Sequence, residues 1–346
     1  MQFIQPDTKI DFIGNRKIGF IFSMSLIVIT LLSLLLHGGP QYGIDFAGGT
    51  LIQVKFSKSN NPQAIKEILK DLNLEASSVQ QFGSTDNNEF LIRADIAVEK
   101  LEGMSKEIET AFSSKDSEQK AEVRRVEMVG PQVGKDLREK ALFAMFYALL
   151  FITIYISGRF EFKWVVSAIM AIALIGVVYV FSLMKLSIPL LIAIALIAAI
   201  ILFWFLELKY AMGAIVALIH DVLITVGVFS ILGIEFTLPI IAALLTIIGY
   251  SLNDTIIVFD RIRENLKRYH RETFNQVINK SINETLSRTI LTSVTTLLVV
   301  VTLFLLGGGI IHDFAFAMII GVLIGTYSSI FVASPILIIW QETKTK

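Results

Sequence analysis

Cysteine is absent from this 346-residue chain, and histidine occurs only four times. Disulfides and thiol chemistry are therefore excluded, and the scattered histidines offer no zinc-ligand set. The sequence also lacks a nucleotide-binding motif and a recognisable nucleophile–base pair. We therefore expect neither enzymatic activity nor a bound cofactor or metal.

Charge is also scarce. Charged residues make up 17% of the chain and cancel to a net charge of zero. No basic stripe with interleaved aromatic residues occurs, so nothing indicates nucleic-acid binding. Hydrophobic residues make up 54% of the chain, and the mean hydropathy is +0.68. These values are typical of an α-helical membrane protein with several spans.

Eight apolar runs predict eight membrane spans. They cover residues 17–37, 141–156, 164–184, 188–208, 211–232, 237–259, 289–306 and 314–340. The first run lacks a small-residue cleavage site, so residues 1–37 are predicted to hold a retained anchor. The loop 260–288 holds seven Lys/Arg and four Asp/Glu, which predicts that it is cytoplasmic. Counting crossings from this loop places both termini in the cytoplasm.

Residues 38–139 have the composition of a water-soluble domain. Ile52, Val54 and Phe56 alternate with polar residues, which predicts a half-buried strand. Apolar residues at helical spacing predict two helices, and three more alternating segments predict strands. The order β-α-β-β-α-β predicts a ferredoxin-like α+β domain on the extracytoplasmic side. The remaining residues 140–340 are predicted to form the membrane bundle.

Several charged or titratable side chains are predicted to lie within the apolar runs. Asn253 and Asp254 lie about two turns before the end of the sixth run, and His220-Asp221 lies near the middle of the fifth. Arg288 precedes the seventh run, which carries several threonines and serines. Because charge at this depth is costly, each group is a functional-site hypothesis. Together they resemble a proton relay more than a pore, since no ring of acids occurs.

Structural roles are the alternatives for these groups. Asp254 and Arg288 could form a buried ion pair that only fixes helix register. His220 and Asp221 could be a satisfied interior pair, and the sequence favours neither role over the other. The threonine and serine stripe is more typical of helix packing than of a conduit.

Short motifs along the chain resemble those of the SecD/SecF protein-export family. Residues 43–50, Gly-Ile-Asp-Phe-Ala-Gly-Gly-Thr, resemble one signature, and residues 129–134, Val-Gly-Pro-Gln-Val-Gly, resemble another. Residues 249–265, with Asn-Asp-Thr and Asp-Arg-Ile-Arg-Glu-Asn, are similar to the SecF members in particular. The structural motif positions, which include a GxxxG pair in the last run, are Gly43, Asp45, Phe46, Gly48, Gly49, Gly130, Pro131, Gly134, Gly249, Gly321 and Gly325.

The resemblance implies a half bundle of the resistance-nodulation-division superfamily in the bacterial inner membrane. Such a subunit works with SecD beside the SecYEG channel and uses the proton-motive force to draw preproteins outward. The resemblance also implies that Asp254 and Arg288 are the intramembrane charges linked to proton movement. The energy source would be the proton gradient alone.

One departure from the family pattern is large. The family usually has six spans, whereas eight apolar runs occur here. Removal of residues 164–209 restores the usual pattern, so we predict an inserted two-helix hairpin at the lipid-facing periphery. Two alternative functions are a half-size exporter of a small molecule or lipid and a non-transporting translocon scaffold. A single soluble domain and too few spans for two halves argue against a self-sufficient pump.

Overall fold

Long apolar helices and one small sheet domain make up the computed structural model of the chain. The structure describes residues 8–70, 78–82, 88–94, 101–115, 120–182 and 188–344. Within these ranges, six helices are long and apolar enough to cross a membrane. The chain is therefore a multi-pass membrane protein.

The elements have the following bounds. The helices are α1 (Arg16–Leu36), α2 (Ile44–Ala47), α3 (Pro62–Lys70), α4 (Leu101–Lys115), α5 (Pro131–Glu161), α6 (Trp164–Ser182), α7 (Ile188–Leu206), α8 (Lys209–Leu232), α9 (Leu238–Arg268), α10 (Phe274–Leu306), α11 (Gly308–Ser328) and α12 (Ser334–Lys344). A π-helical turn, Ser329–Ala333, joins α11 to α12. The strands are β1 (Gly49–Phe56), β2 (Ser78–Phe82), β3 (Glu89–Ala94) and β4 (Ala121–Val129).

The four strands form one antiparallel sheet in the order β2-β3-β1-β4. The predicted inward face of β1 is confirmed, because Ile52, Val54 and Phe56 are each 1% exposed or less. These side chains share one hydrophobic core with Ile108 and Phe112 of α4. Alternate residues of the strand therefore pack against helices on one face, as the period of two requires.

The second span begins earlier than the sequence predicts. Helix α5 starts at Pro131, with Gly130 as its N-cap, whereas the apolar run starts only at 141. Proline suits the first position of a helix because its missing N–H would have no intrahelical partner there. The motif at 129–134 is therefore the start of the helix that leaves the sheet domain.

The predicted loop over 260–288 is wrong for most of its length. Helix α9 continues to Arg268 and α10 begins at Phe274, where Thr273 and Gln276 form a capping box. Val277, Ile278 and Ile282 of the α10 extension are buried. Apolar residues at helical spacing thus extend both helices beyond the apolar runs, although many of the intervening residues are charged.

The predicted insertion forms the helices α6 and α7, which pack on each other and on α5 and α8. Their inner face is buried and includes Met170, Leu174 and Phe203, whereas Val165 and Phe205 are more than 70% exposed. Both helices are apolar, but their apolar segments are shorter than the six candidate spans. The connection between them, residues 183–187, lies outside the described residues.

Helix α11 approaches α9 closely at the two glycines of the GxxxG pair. A Cβ atom on Gly321 would lie 2.3 Å from Ile247 Cγ1, and one on Gly325 would lie 2.9 Å from Ser251 Cβ. Only the absence of a side chain permits this spacing. Gly249 of α9, by contrast, faces open space. The pair therefore fixes α11 against the helix that carries Asp254.

Candidate functional site

Asp254 lies on the buried face of α9 and is 1% exposed. Neither carboxylate oxygen has a hydrogen-bond partner in the part of the chain that the structure describes. Arg288, Thr292 and Ser293 of α10 are the polar groups that face it. An acid buried without a donor is exceptional in proteins and marks a place where function competes with stability.

The hydroxyl groups nearest Asp254 make their hydrogen bonds elsewhere. Thr292 donates to the backbone carbonyls of Arg288 and Thr289. Ser293 Oγ is 2.6 Å from Thr326 Oγ1 of α11, whose own proton goes to the Val322 carbonyl. Two further hydroxyls, those of Tyr250 and Thr289, are buried without partners. Together with the carboxylate, these groups form a polar region of the bundle whose hydrogen bonds are incomplete.

Arg288 does not supply the missing partner of the Asp254 carboxylate. Its side chain is exposed, and no ion pair joins it to Asp254 among the described residues. Asn253, beside Asp254 on α9, is exposed as well. The alternative of a static Asp254–Arg288 ion pair that fixes helix register is therefore not present within this chain.

A cavity of about 410 Å³ opens between α9 and α10 on the side of their connecting turn. Asn253 and Arg288 line it at the level of Asp254. The other lining residues are Ile256, Ile257, Asp260, Arg261, Glu264, Glu284 and Thr285. A polar passage of this kind can admit water to within reach of a buried carboxylate.

His220 and Asp221 of α8 form a second buried polar cluster, 3% and 1% exposed. His220 Nδ1 is 2.9 Å from Asp221 Oδ1. Asp221 Oδ2 accepts hydrogen bonds from Ser251 of α9 at 2.5 Å and from Ser328 of α11 at 2.8 Å. The predicted relay therefore separates into two sites: Asp254 without hydrogen bonds, and Asp221 with several.

The motif at 43–50 connects the sheet domain to α9. Asp45 Oδ2 accepts a hydrogen bond of 2.8 Å from the backbone N–H of Leu238, the first residue of α9. Thr237, at the N-cap position, makes no side-chain cap. Gly43 N–H donates to the Phe236 carbonyl, and the Phe236 N–H donates to the Gln41 carbonyl. The sequence alone did not indicate this contact, because 193 residues separate its two partners.

The two glycine motifs pack on each other at the same junction. Gly48 has φ +78°, and a Cβ atom there would lie 2.8 Å from Pro131 Cα. A Cβ atom on Gly134 would lie 3.0 Å from the Gly48 nitrogen. Both neighbours are backbone atoms, which cannot move aside as a side chain can. Phe46 is buried beside them, and Gly49 begins β1.

Comparison with known proteins places these features in a family. The model of "Protein export membrane protein SecD/SecF, C-terminal" matches residues 108–201 and 182–343, and that of "SecD/SecF GG Motif" matches residues 33–59. The chain belongs to the SecD/SecF family. The resemblance inferred from the short motifs is thus confirmed.

Individual relatives of this SecD/SecF chain are similar over nearly its whole length. It is 43% identical to the protein translocase subunit SecF of Magnetococcus marinus, over 98% of this chain and 94% of that protein. It is 37% identical to the protein of the same name from Vibrio alginolyticus, over 96% and 90%.

Solved structures of SecDF resemble the fold. SecDF of Thermus thermophilus, described as a translocon-associated membrane protein, matches with a TM-score of 0.77 and 31% identity over 98% of this chain. A second SecDF structure, in a super-membrane-facing form, matches with a TM-score of 0.62. The chain spans 40% of the length of each SecDF chain. The comparison with SecDF therefore covers one part of a longer polypeptide.

The contact of Asp45 with α9 gives a first prediction for this SecD/SecF chain. Asp45→Ala should lower the free energy of unfolding by about 1 kcal/mol, the usual effect of losing a helix cap. Asp45→Asn keeps an acceptor oxygen and should lose less. Thermal unfolding of the purified chain in detergent measures both. Asp136→Ala, at an exposed acid early in α5, is the control. An equal loss in all three variants would contradict the capping role.

Proposed function

We propose that this chain is the SecF-type subunit of the Sec translocon accessory complex. Together with SecD it uses the proton-motive force to promote translocation of preproteins through the SecYEG channel. The observation that carries the proposal is the Asp254 carboxylate, buried without a hydrogen-bond partner and facing Arg288 across the α9–α10 interface. No catalytic residue and no cofactor take part, and the proton gradient is the energy source.

Proton exchange at Asp254 changes the forces between α9 and α10. The ionised carboxylate attracts the Arg288 guanidinium, whereas the protonated acid does not. One elementary charge crossing about 100 mV releases roughly 2.3 kcal/mol. That energy biases a two-state motion more than about tenfold. Uptake and release of a proton can thus drive α9 and α10 between two arrangements.

The sheet domain is the element that would transmit this motion. It is attached to α9 through the Asp45 cap and to the α8–α9 turn through Arg93, which donates to the Tyr42 carbonyl and pairs with Glu235 at 3.3 Å. We propose that it is a ferredoxin-like domain, which its strand order β2-β3-β1-β4 supports. In the proposed orientation this domain lies on the extracytoplasmic side. A shift of α9 would then displace a surface that meets the emerging preprotein.

The membrane topology follows from the same orientation. Residues 1–37 hold the cytoplasmic N-terminus and first span, residues 38–139 the outer domain, and residues 140–340 the bundle. The basic residues at the ends of α9 and α10 support a cytoplasmic position for the turn between them. With 164–209 as an added hairpin, the chain crosses the bacterial inner membrane eight times and both termini are cytoplasmic.

SecD is the partner that would pack on the exposed face of α10. Leu291, Val294 and Leu298 of α10 are exposed, and Arg288 is exposed beside them. An arginine that faces lipid within the bilayer is costly unless a protein surface covers it. The proposed SecD helices would cover this face and enclose the polar region around Asp254.

Removal of the Arg288 charge tests the proposal. Vesicles that contain the complex are loaded with preprotein, ATP is exhausted, and a proton gradient is imposed. Arg288→Gln should reduce the gradient-driven movement of preprotein about tenfold or more, and Arg288→Lys should retain part of it. Arg124→Gln, an exposed arginine of the sheet domain, is the control. Unchanged export in Arg288→Gln would contradict the proposal.

A further inference from the structure

A continuous chain of hydrogen bonds runs from α1 to α9 and α11 through His220 and Asp221. His220 Nε2 is 3.1 Å from Ser23 Oγ, which is 3.1 Å from the Tyr327 hydroxyl, and this hydroxyl is 2.7 Å from the Gly19 carbonyl. On the other side, Asp221 Oδ2 accepts hydrogen bonds from Ser251 and Ser328. Apart from Tyr327, every side chain of the network is at most 5% exposed.

The directions of these bonds can be assigned from one end. The Gly19 carbonyl only accepts, so the single proton of Tyr327 is donated to it. Ser23 must then donate its own proton to Tyr327, and it accepts from His220. The Nε2 atom of His220 therefore carries a proton.

One further proton lies between His220 Nδ1 and Asp221 Oδ1. These atoms are 2.9 Å apart, and two lone pairs cannot form a hydrogen bond. If nitrogen carries the proton, the pair is an imidazolium and a carboxylate; if oxygen carries it, both groups are neutral. In either case the pair has no net charge. A pair without net charge is the form that a buried site tolerates best.

Each side-chain nitrogen and oxygen of the pair has a hydrogen-bond partner within the chain. The polar side chains that bind the pair are Ser23 of α1, Ser251 of α9 and Ser328 of α11. The Tyr327 hydroxyl binds Ser23 rather than the pair. The Tyr327 ring stacks on His220 with centroids 6.1 Å apart and is the other titratable group against the pair. Neither His220 nor Asp221 lines the cavity that reaches Asn253 and Arg288. Asp254 does not line this cavity either, but the adjacent residue Asn253 does.

The bonds of Asp221 bear directly on the position of Asp254. Ser251 precedes Asp254 by three residues on α9, so the two side chains lie about one turn apart. Ser251 is also the residue that Gly325 approaches in the α9–α11 contact. A carboxylate that binds Ser251 and Ser328 together therefore fixes α9 against both α8 and α11, at the turn next to Asp254.

We propose that His220 and Asp221 hold one proton between them permanently, and that Asp221 is a positioning residue for Asp254 rather than a carrier of transported protons. This proposal rests on the proposed function only in taking Asp254 as the proton-exchanging group. The retained proton itself is a property of the chain that a spectrum can test without any transport assay.

The spectroscopic test uses the full chain in lipid bilayers with ¹⁵N-labelled histidine. The other three histidines, exposed His37 and His270 and half-buried His312, are replaced by Gln, so that only His220 contributes to the signal. We expect ring ¹⁵N shifts of a hydrogen-bonded imidazole that do not change between about pH 5 and 8, where a free imidazole titrates. Titration of His220 within this range would overturn the proposal.

Two substitutions test the positioning role. Asn at position 221 can donate from its amide to His220 Nδ1 and accept from Ser251 and Ser328, which reproduces every bond of the neutral pair. Asp221→Asn should therefore retain gradient-driven export within about twofold, with an unchanged pH profile. Asp221→Leu leaves His220 Nδ1 and the Ser251 hydroxyl unpaired, whereas Ser328 can still donate to the Gly325 carbonyl. This variant should reduce export about tenfold or more and alter the pH profile.

The outcome of Asp221→Asn distinguishes a positioning residue from a carrier of transported protons. Loss of export as complete as in Asp254→Asn, with normal amounts of folded chain in the membrane, would overturn the positioning role. If Asp254→Asn itself leaves export unchanged, the proposed function fails, and the His220 spectrum still decides whether the proton is retained. Should Asp221→Asn fail to fold, the spectrum of the chain with Asp221 intact gives the decision.

Discussion

Asp254→Asn is expected to abolish the part of preprotein export that the proton gradient drives and to leave the ATP-driven part unchanged. Asparagine has nearly the same size as aspartate, but it neither binds nor releases a proton. The variant thus loses the roughly 2.3 kcal/mol that one charge gains in crossing about 100 mV. Because 1.4 kcal/mol corresponds to a factor of ten, the gradient-driven rate should fall by more than about tenfold.

The measurement follows preprotein that is trapped partway across vesicle membranes after ATP is removed. Movement is recorded with and without an imposed gradient, for the unaltered chain and for Asp254→Asn. Asp136→Asn provides a matched control, since Asp136 is exposed and accepts a hydrogen bond from the Gln132 side chain. Equal gradient-driven movement in the Asp254 variant and the control would refute the role of Asp254.

Gly321→Val is expected to have the second large effect. Its Cβ would lie 2.3 Å from Ile247 Cγ1, and Ile247 is fully buried, so α11 and α9 must separate. Overpacking of a close contact costs about 1–3 kcal/mol. A separation of α11 from α9 would also displace Ser251 from Asp221 of α8 and move Asp254 relative to α10. We expect a lower unfolding temperature in detergent and a loss of gradient-driven export.

Gly249→Val is the matched control for this substitution. Gly249 lies on α9, within two residues of Ile247, and no atom is within 4 Å of the position its Cβ would take. The added side chain therefore meets no neighbour within this chain. If both valine variants lose the same thermal stability, loss of helix propensity rather than steric contact explains the effect.

Local patterns explain what the sequence predicted correctly. Apolar runs identified the six longest spans because a bilayer imposes a minimum length of apolar helix on each. Alternation identified the inward face of β1, and the GxxxG pair marked a close helix contact, although its partner α9 was not predicted. Each of these signals is contained within a few neighbouring residues, which a single sequence displays directly.

Contacts between distant segments explain what the sequence did not predict. The Asp45 cap joins residues 45 and 238, and the Asp221 network gathers side chains from four helices. Neither leaves a local pattern, so Asp221 and Asp254 could not be separated by sequence alone. The predicted loop over 260–288 failed for another reason, since a high density of charge concealed the helical spacing of Val277, Ile278 and Ile282.

Under the two proposals, the buried acids have different roles in the bundle. Asp221 is surrounded by partners and holds α9 in place, whereas Asp254 lacks partners and lies next to a polar cavity between α9 and α10. A permanent network beside an incomplete one lets a single carboxylate change its charge without loosening the whole bundle.

Infrared difference spectroscopy of the chain in vesicles with its SecD partner tests this account most directly. The spectrum is recorded as the pH on the side of the α9–α10 turn, where the cavity opens, is lowered. The account predicts a new band of a protonated carboxyl group that is absent in Asp254→Asn and present in Asp221→Asn. A band that persists in Asp254→Asn, or disappears in Asp221→Asn, would contradict it.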